Sequence, residues 1–553
     1  MKNYFTLIIL TFCCFSFTQA QERYLEEVFT DVEVTTEIYG VNATVLFLPI
    51  VMETVPIPLP MDIYRPAGDT ETDRPMVLLF HTGNFLPNVT NGQISGTRQD
   101  SSVVEYCKMF ARRGYVAASC DYRRGWNPLA PTQPERALGL IQAAYRGVQD
   151  GRNAVRYAKA TSANLGIDTS KIVVMGVGTG GYLTLGMVGL SDYSEIIQTT
   201  NGPAKFLLDL NGDNTPETPM VIPAFHGDIN GTVLTVTPDD GSSVGFGLPP
   251  GDTTNYVNIA NNTNDFALGI NVGGALGDVS WLNDNTTPTI SVQSPFDIFA
   301  PYDDDVLIVP TTGDPIVQVQ GALQIGMAQE ANGANGIFTA AGVNFSSRPT
   351  TQMAMDNSAT AGHPYYEGVF PFIMPANSSG IPEGVVIDWW DPNAPSPADG
   401  AGMGIPWNML PHPTDPSGMT SYHEQGLVLN EGMSAEKARA NINLTMDYIL
   451  PRACVALELP CQWNFIDSGS EDIIKEDFVT ISPNPAADFT IVNTSERIIQ
   501  EAQLTNLKGE LLRSYKNVND NFLQVDRADL NTGIYIVQLR FEEGMTSKKV
   551  VFK

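Results

Sequence analysis

A glycine-rich run, Gly176-Val177-Gly178-Thr179-Gly180-Gly181, follows the apolar stretch Lys171-Ile172-Val173-Val174-Met175 and opens a helical segment. A tight turn between a strand and a helix can lift a nucleophile above a sheet or hold an anion on backbone amides. Thr179 carries the one hydroxyl in the run. A phosphate cradle fits poorly, because no lysine of the P-loop kind follows and no acidic residue takes a ribose role. Further along, Ser291-Val292-Gln293-Ser294-Pro295-Phe296-Asp297 and Thr312-Gly313-Asp314-Pro315 supply carboxylates, and His363, His412 and His423 supply bases. His81-Thr82-Gly83-Asn84 ends an apolar strand and offers amides to an anionic oxygen. Asp209-Leu210-Asn211-Gly212-Asp213 alternates oxygen ligands like a calcium loop, but Met220 stands where an EF-hand needs glutamate. No metal or cofactor is expected.

The elements that must position these residues follow from periodicity. Glu27 to Ile63 alternates polar and apolar residues, with breaks at Gly40 and at the prolines from Pro56 to Pro60. Met76-Val77-Leu78-Leu79-Phe80, Tyr115 to Ser119 and Lys171 to Met175 are short apolar runs of the kind buried in a parallel sheet. Ser101 to Arg113 and Pro134 to Lys159 read as helices, the second broken near Gly147 and Gly151. Strands return at Ala267 to Ala275 and Thr289 to Val292, and helices at Gln320 to Ala331 and Ser434 to Leu450. Ser434 is the N-cap of that last helix and Pro451 its stop. Strand and helix alternate, so an α/β fold with a mostly parallel sheet is expected. Residues 191–266 lack either period and read as a lid-like insertion over one end of the sheet.

Met61-Asp62-Ile63-Tyr64-Arg65-Pro66, the strand ending in His81, Arg112-Arg113-Gly114-Tyr115-Val116 before Asp121-Tyr122-Arg123, and Gly147 to Lys159 ahead of Gly166-Ile167-Asp168 together resemble the α/β-hydrolase family, close to its esterase and lipase-like members, over residues 27–460. In that family the nucleophile sits in G-x-S-x-G. Aligning the glycines puts Gly178 where the serine stands, and glycine has no side chain to attack a carbonyl. The resemblance further implies Asp297 as the acid and His363 as the base, with His81, Gly83 and Thr179 around the oxyanion site. Two expectations stand side by side. One is a divergent ester or amide hydrolase, acting on a small-molecule or polymer ester through Thr179 or a water activated by His363. The other is a non-catalytic descendant that binds a ligand in the old pocket.

Composition bounds the class and the ends give the address. A net charge of −30 over 553 residues argues against nucleic acid. Residues 1–20 read as a secretory signal and 21–466 as the hydrolase-like domain, with no transmembrane segment in the mature chain. Residues 467–477 form an acidic linker and 478–553 an all-strand tail. Cys454 and Cys461 are expected to close a short disulfide, while Cys107 and Cys120 stand as either a second bridge or two buried thiols. In the tail, Ser482-Pro483-Asn484-Pro485, Leu507-Lys508-Gly509-Glu510, Gly533 to Val537 and the closing Lys548 to Lys553 resemble the C-terminal sorting domain of the type IX secretion system of Bacteroidetes. That resemblance implies a small β-sandwich, export through the type IX machinery, and an extracellular or cell-surface location.

Overall fold

The structure, a computed structural model, describes residues 23–199, 205–209, 213, 215–297, 299–309, 311–374, 376–380, 386–397, 404–415, 417–461, 472–473, 479–495, 497–506, 511–528, 530–541 and 544–553. The signal segment, most of the acidic linker and the centre of the Asp209–Asp213 loop lie outside these residues. The chain divides into two units, Met1–Trp463 and Asn464–Lys553.

The first unit is built on one sheet of eight strands. They are β1 (Val32–Thr44), β2 (Val55–Pro66), β3 (Arg74–Phe80), β4 (Val116–Cys120), β5 (Ile167–Val177), β6 (Leu268–Val272), β7 (Thr289–Gln293) and β8 (Val369–Pro371). Their order across the sheet is β1-β2-β4-β3-β5-β6-β7-β8. β1 and β2 run antiparallel to their neighbours, and every pair from β4/β3 to β7/β8 is parallel. The apolar runs make the central strands. β3 and β4 are buried along their whole length, as a sheet covered by helices on both faces requires.

Three departures from the sequence reading have local causes. β2 runs straight through Pro56, Pro58 and Pro60. Their alternate spacing puts every missing N–H on one edge of the strand, and β4 pairs with that strand only at Met61–Tyr64. The helix after β4, α2 (Gln133–Ala160), is unbroken. Its glycines serve close packing instead: a Cβ at Gly147 would lie 2.9 Å from Phe85 Cε1, and one at Gly151 would lie 2.5 Å from Met187 Sδ. The final helix, α6 (Ala435–Ala456), continues past Pro451. Proline cannot donate to the Asp447 carbonyl, and the Thr350 hydroxyl donates to it at 3.4 Å. Ser434 caps this helix, accepting from Lys437 N at 3.1 Å.

Between these elements lie α1 (Ser101–Arg112), α3 (Thr179–Gly189), α4 (Ala322–Ala331) and α5 (Pro349–Ala361). The described parts of the 191–266 insertion lie along α2. Gln142, Tyr145, Gln149, Arg152 and Arg156, spaced by three and four residues, form one stripe of that helix. They donate to Met220 O (3.3 Å), Gly227 O (2.8 Å), His226 O and Asp228 O (2.8 Å each), Asn230 Oδ1 (2.7 Å) and Ile259 O, respectively. Arg123, fully buried, adds a second tie: it pairs with Asp150 at 2.9 Å and donates to Gln149 Oε1 at 2.8 Å and Thr254 O at 3.2 Å.

Cys454 and Cys461 are bridged at the end of α6, whereas Cys107 and Cys120 are buried thiols. Peptide mapping without reductant is expected to recover the 454–461 pair as one linked species. Alkylation of Cys107 and Cys120 should need denaturant, and labelling of either in the folded protein would contradict their burial.

The second unit pairs a five-stranded with a three-stranded sheet. Val492 and Val525 from the smaller sheet and Leu504, Val537, Leu539 and Val550 from the larger share one apolar core. This is a small β-sandwich.

Candidate functional site at the strand ends

β5 delivers the chain to Gly178, which sits at φ 53° and ψ −115° before α3 begins at Thr179. Glycine reaches this region at the least steric cost. The flanking glycines are demanded by contact: a Cβ at Gly176 would lie 1.9 Å from Gly180 O, and one at Gly180 would lie 2.1 Å from Phe80 O. A Cβ at Gly178 would meet the Thr82 side chain, with Oγ1 at 2.4 Å and Cβ at 3.0 Å. The Thr82 hydroxyl therefore fills the space a nucleophile's side chain would use.

In a sheet of this kind ligands bind beyond the carboxyl ends of the strands. Here those ends line a cavity of about 210 Å3 that includes Gly178 after β5, Asp297 after β7 and Met374 after β8. Asp297 Oδ1 accepts from Phe299 N at 2.8 Å and Ala300 N at 3.0 Å. Burial pushes its carboxyl up from the ordinary value, and the two amides only partly offset this. Gly178, Asp297 and Met374 thus follow β5, β7 and β8 in turn on the wall of one cavity.

No histidine lines this cavity among the described residues. His363 follows α5 and precedes β8, with its ring 5.9 Å from that of Tyr302, outside the cavity wall. The structure thus brings Asp297 to Gly178 and leaves His363 apart. His412 binds Gly92 O at 2.9 Å and Thr414 Oγ1 at 2.7 Å, and His423 accepts from Trp390 Nε1 at 3.1 Å. Asp314 is bound to Arg136 through contacts of 2.6 and 2.8 Å, which bring its pKa down to about 2.

The turn after β3 is held by its own network. The fully buried His81 lies 3.2 Å from Asp121 through Nε2, and its ring stacks on Tyr122 at 4.5 Å. Burial alone would raise the Asp121 carboxyl, but the His81 contact and the charge of Arg98 hold it well below the usual range. Gly83 packs against Gly96, where a Cβ would come within 2.8 Å of the Gly96 Cα. Thr179 Oγ1 accepts from Asn84 N at 2.8 Å, which spends one of the amides nearest the elbow.

Two lining residues escaped the sequence reading. Asp388 accepts from Ser102 N at 3.2 Å, Trp389 N at 3.0 Å and the Ser101 hydroxyl, and burial pushes its carboxyl up. Its position in Ile387-Asp388-Trp389-Trp390 carried no motif. Tyr182 stands one helical turn after Gly178, a spacing that could have flagged it. Its hydroxyl is buried without a hydrogen-bond partner among the described residues. A second cavity, of about 140 Å3, shares Asn84, Thr179, Tyr182 and Leu307 with the first and is otherwise walled mainly by apolar side chains, including Phe206 and Val221 from the insertion.

The BD-FAE family model matches residues 61–211, and the model of the secretion system C-terminal sorting domain matches residues 480–553. No curated protein matches the sequence significantly. Among solved structures, esterase 2 of Thermogutta terrifontis phosphorylated by paraoxon shares 16% identity, with 60% of this chain and 95% of that chain covered and a TM-score of 0.29. The native form of that enzyme gives 16%, 61%, 95% and 0.28 for the same measures. The esterase of Pyrobaculum calidifontis gives 23% identity over 30% of this chain and 40% of that chain, with a TM-score of 0.18. The first unit has the α/β sheet described above with residues 61–211 matching the BD-FAE model, and the tail carries a secretion sorting domain that marks the protein as secreted or held at the cell surface. No described helix is long and apolar enough to cross a membrane.

Proposed function

We propose, for this exported protein that joins an esterase-like α/β-hydrolase domain to a sorting tail, that the hydrolase pocket is kept for binding a ligand and no longer for acyl transfer. The observation that carries this reading is the filled elbow. Gly178 has no nucleophile, and the Thr82 side chain stands where one would project. The loss extends to the base, since no histidine lines the cavity among the described residues and Met374, three residues past β8, stands on its wall. Asp297 alone keeps its place in the chain order.

Thr179 is the rival nucleophile. Its oxygen accepts a hydrogen bond from Asn84 N, and among the described residues no imidazole lines the cavity to take its proton. Activated nitrophenyl esters of short and medium chain length, together with a serine-directed fluorophosphonate, test the proposal on the purified chain. Hydrolysis at the rate of the protein-free control and no covalent labelling are expected. Rapid turnover abolished by Thr179→Ala would overturn the binding reading and restore an enzyme.

A further inference from the structure

The two cavities adjoin and together make a candidate bipartite site, with Asn84, Thr179, Tyr182 and Leu307 lining both. Their chemistry differs sharply. The inner chamber is walled by Leu140, Ile141, Val148, Leu183, Phe206 and Trp281, among other apolar side chains, and suits a hydrocarbon chain. The outer chamber is lined by two carboxyl groups, Asp297 and Asp388, and by no lysine, arginine or histidine among the described residues. Asp388 already accepts three hydrogen bonds at the start of α1. Asp297 spends Oδ1 on two amides, and no bond to its other oxygen is present among the described residues. Between the chambers stands Tyr182, whose hydroxyl is buried and unpartnered.

We propose that this site takes an amphiphilic amine, with its hydrocarbon chain in the inner chamber and its ammonium group against Asp297 beside Tyr182. The proposal rests on the binding reading above and names the ligand class for it. An ammonium supplies three donors and a positive charge. It satisfies the free oxygen of Asp297 and gives the orphaned Tyr182 oxygen a donor. An anionic head finds no cationic side chain here, although the N-terminus of α3 at Thr179 favours negative charge and works the other way. A carboxylate of the same chain length weighs those two effects against each other.

Calorimetric titration of the whole chain with n-octylamine, n-octanol and n-octanoate tests the proposal. Octylamine is expected to bind at least about ten-fold more tightly than octanoate, and Asp297→Asn to weaken octylamine by about ten-fold or more while leaving octanol unchanged. Ala144→Phe, which fills the inner chamber, should weaken octylamine and octanol alike. Binding of octanoate as tight as octylamine, an unchanged octylamine affinity in Asp297→Asn, or no binding of any of the three would overturn the assignment. Ester turnover is read separately, so an inert protein that ignores octylamine sinks the amine while leaving the non-catalytic reading, and a turning-over protein sinks that reading whatever it binds.

Discussion

Gly178→Ser alone is expected to leave the protein unlabelled by a fluorophosphonate and less stable than the parent. The new Cβ would lie 2.4 Å from Thr82 Oγ1, and serine at φ 53° carries a strain of about 1–3 kcal/mol. A hydroxyl forced in there still has no imidazole beside it, because no histidine lines the cavity among the described residues. Activity should therefore need three changes together. Thr82→Gly clears the space, Gly178→Ser supplies the nucleophile and Met374→His supplies the base, with Asp297 already on the cavity wall. The triple variant is expected to become labelled and to hydrolyse a nitrophenyl ester on the order of 10²-fold faster than the parent or more, the range that a positioned general base contributes. Single and double variants should gain almost nothing, since triad members act as a unit. Full labelling of Gly178→Ser by itself would mean that Thr82 does not block the elbow.

The largest loss of stability is expected at Arg123. Arg123 and Asp150 are both out of solvent, and the guanidinium also reaches Gln149 and Thr254. Arg123→Met would strand the Asp150 carboxylate in the interior, a loss of about 3–5 kcal/mol. The urea midpoint of the purified protein reads it out. Arg123→Met with Asp150→Leu removes both charges and should recover much of the loss. Equal or greater damage in the double variant would show that the hydrogen bonds to Gln149 and Thr254, and not the charge pair, hold this corner.

Much of the scaffold was legible in the sequence because its strands are short apolar runs with one period, and because the elbow glycines are fixed by backbone contact. The alternate spacing of Gly176, Gly178 and Gly180 needs no side chain to be recognised. Proline and glycine misled where tertiary contacts override local preference. Thr350 on α5 satisfies the carbonyl that Pro451 leaves free, and the packing of α2 against Phe85 and α3 uses Gly147 and Gly151 as contact surface. The site was legible only in part. Asp297, read from the likeness of Ser291 to Asp297 to the acid-bearing loop of the α/β-hydrolase family, does line the cavity, but His363, read from its interval after Asp297 and ahead of the final helix, does not. Nothing in one chain says that a methionine stands at a strand end, or that Thr82 folds over Gly178. Both are facts of three-dimensional neighbourhood.

The stripe of α2 side chains that holds the insertion also decides how that wall of the inner chamber can open. Phe206 and Val221 wall that chamber, and residues 220–230 beside them are bonded to four successive positions of a buried helix. A segment tied in this way does not swing on a hinge. It comes away only when several bonds break together, as a cooperative opening of the kind that hydrogen exchange detects. The backbone amides of this stretch should then exchange at a common rate.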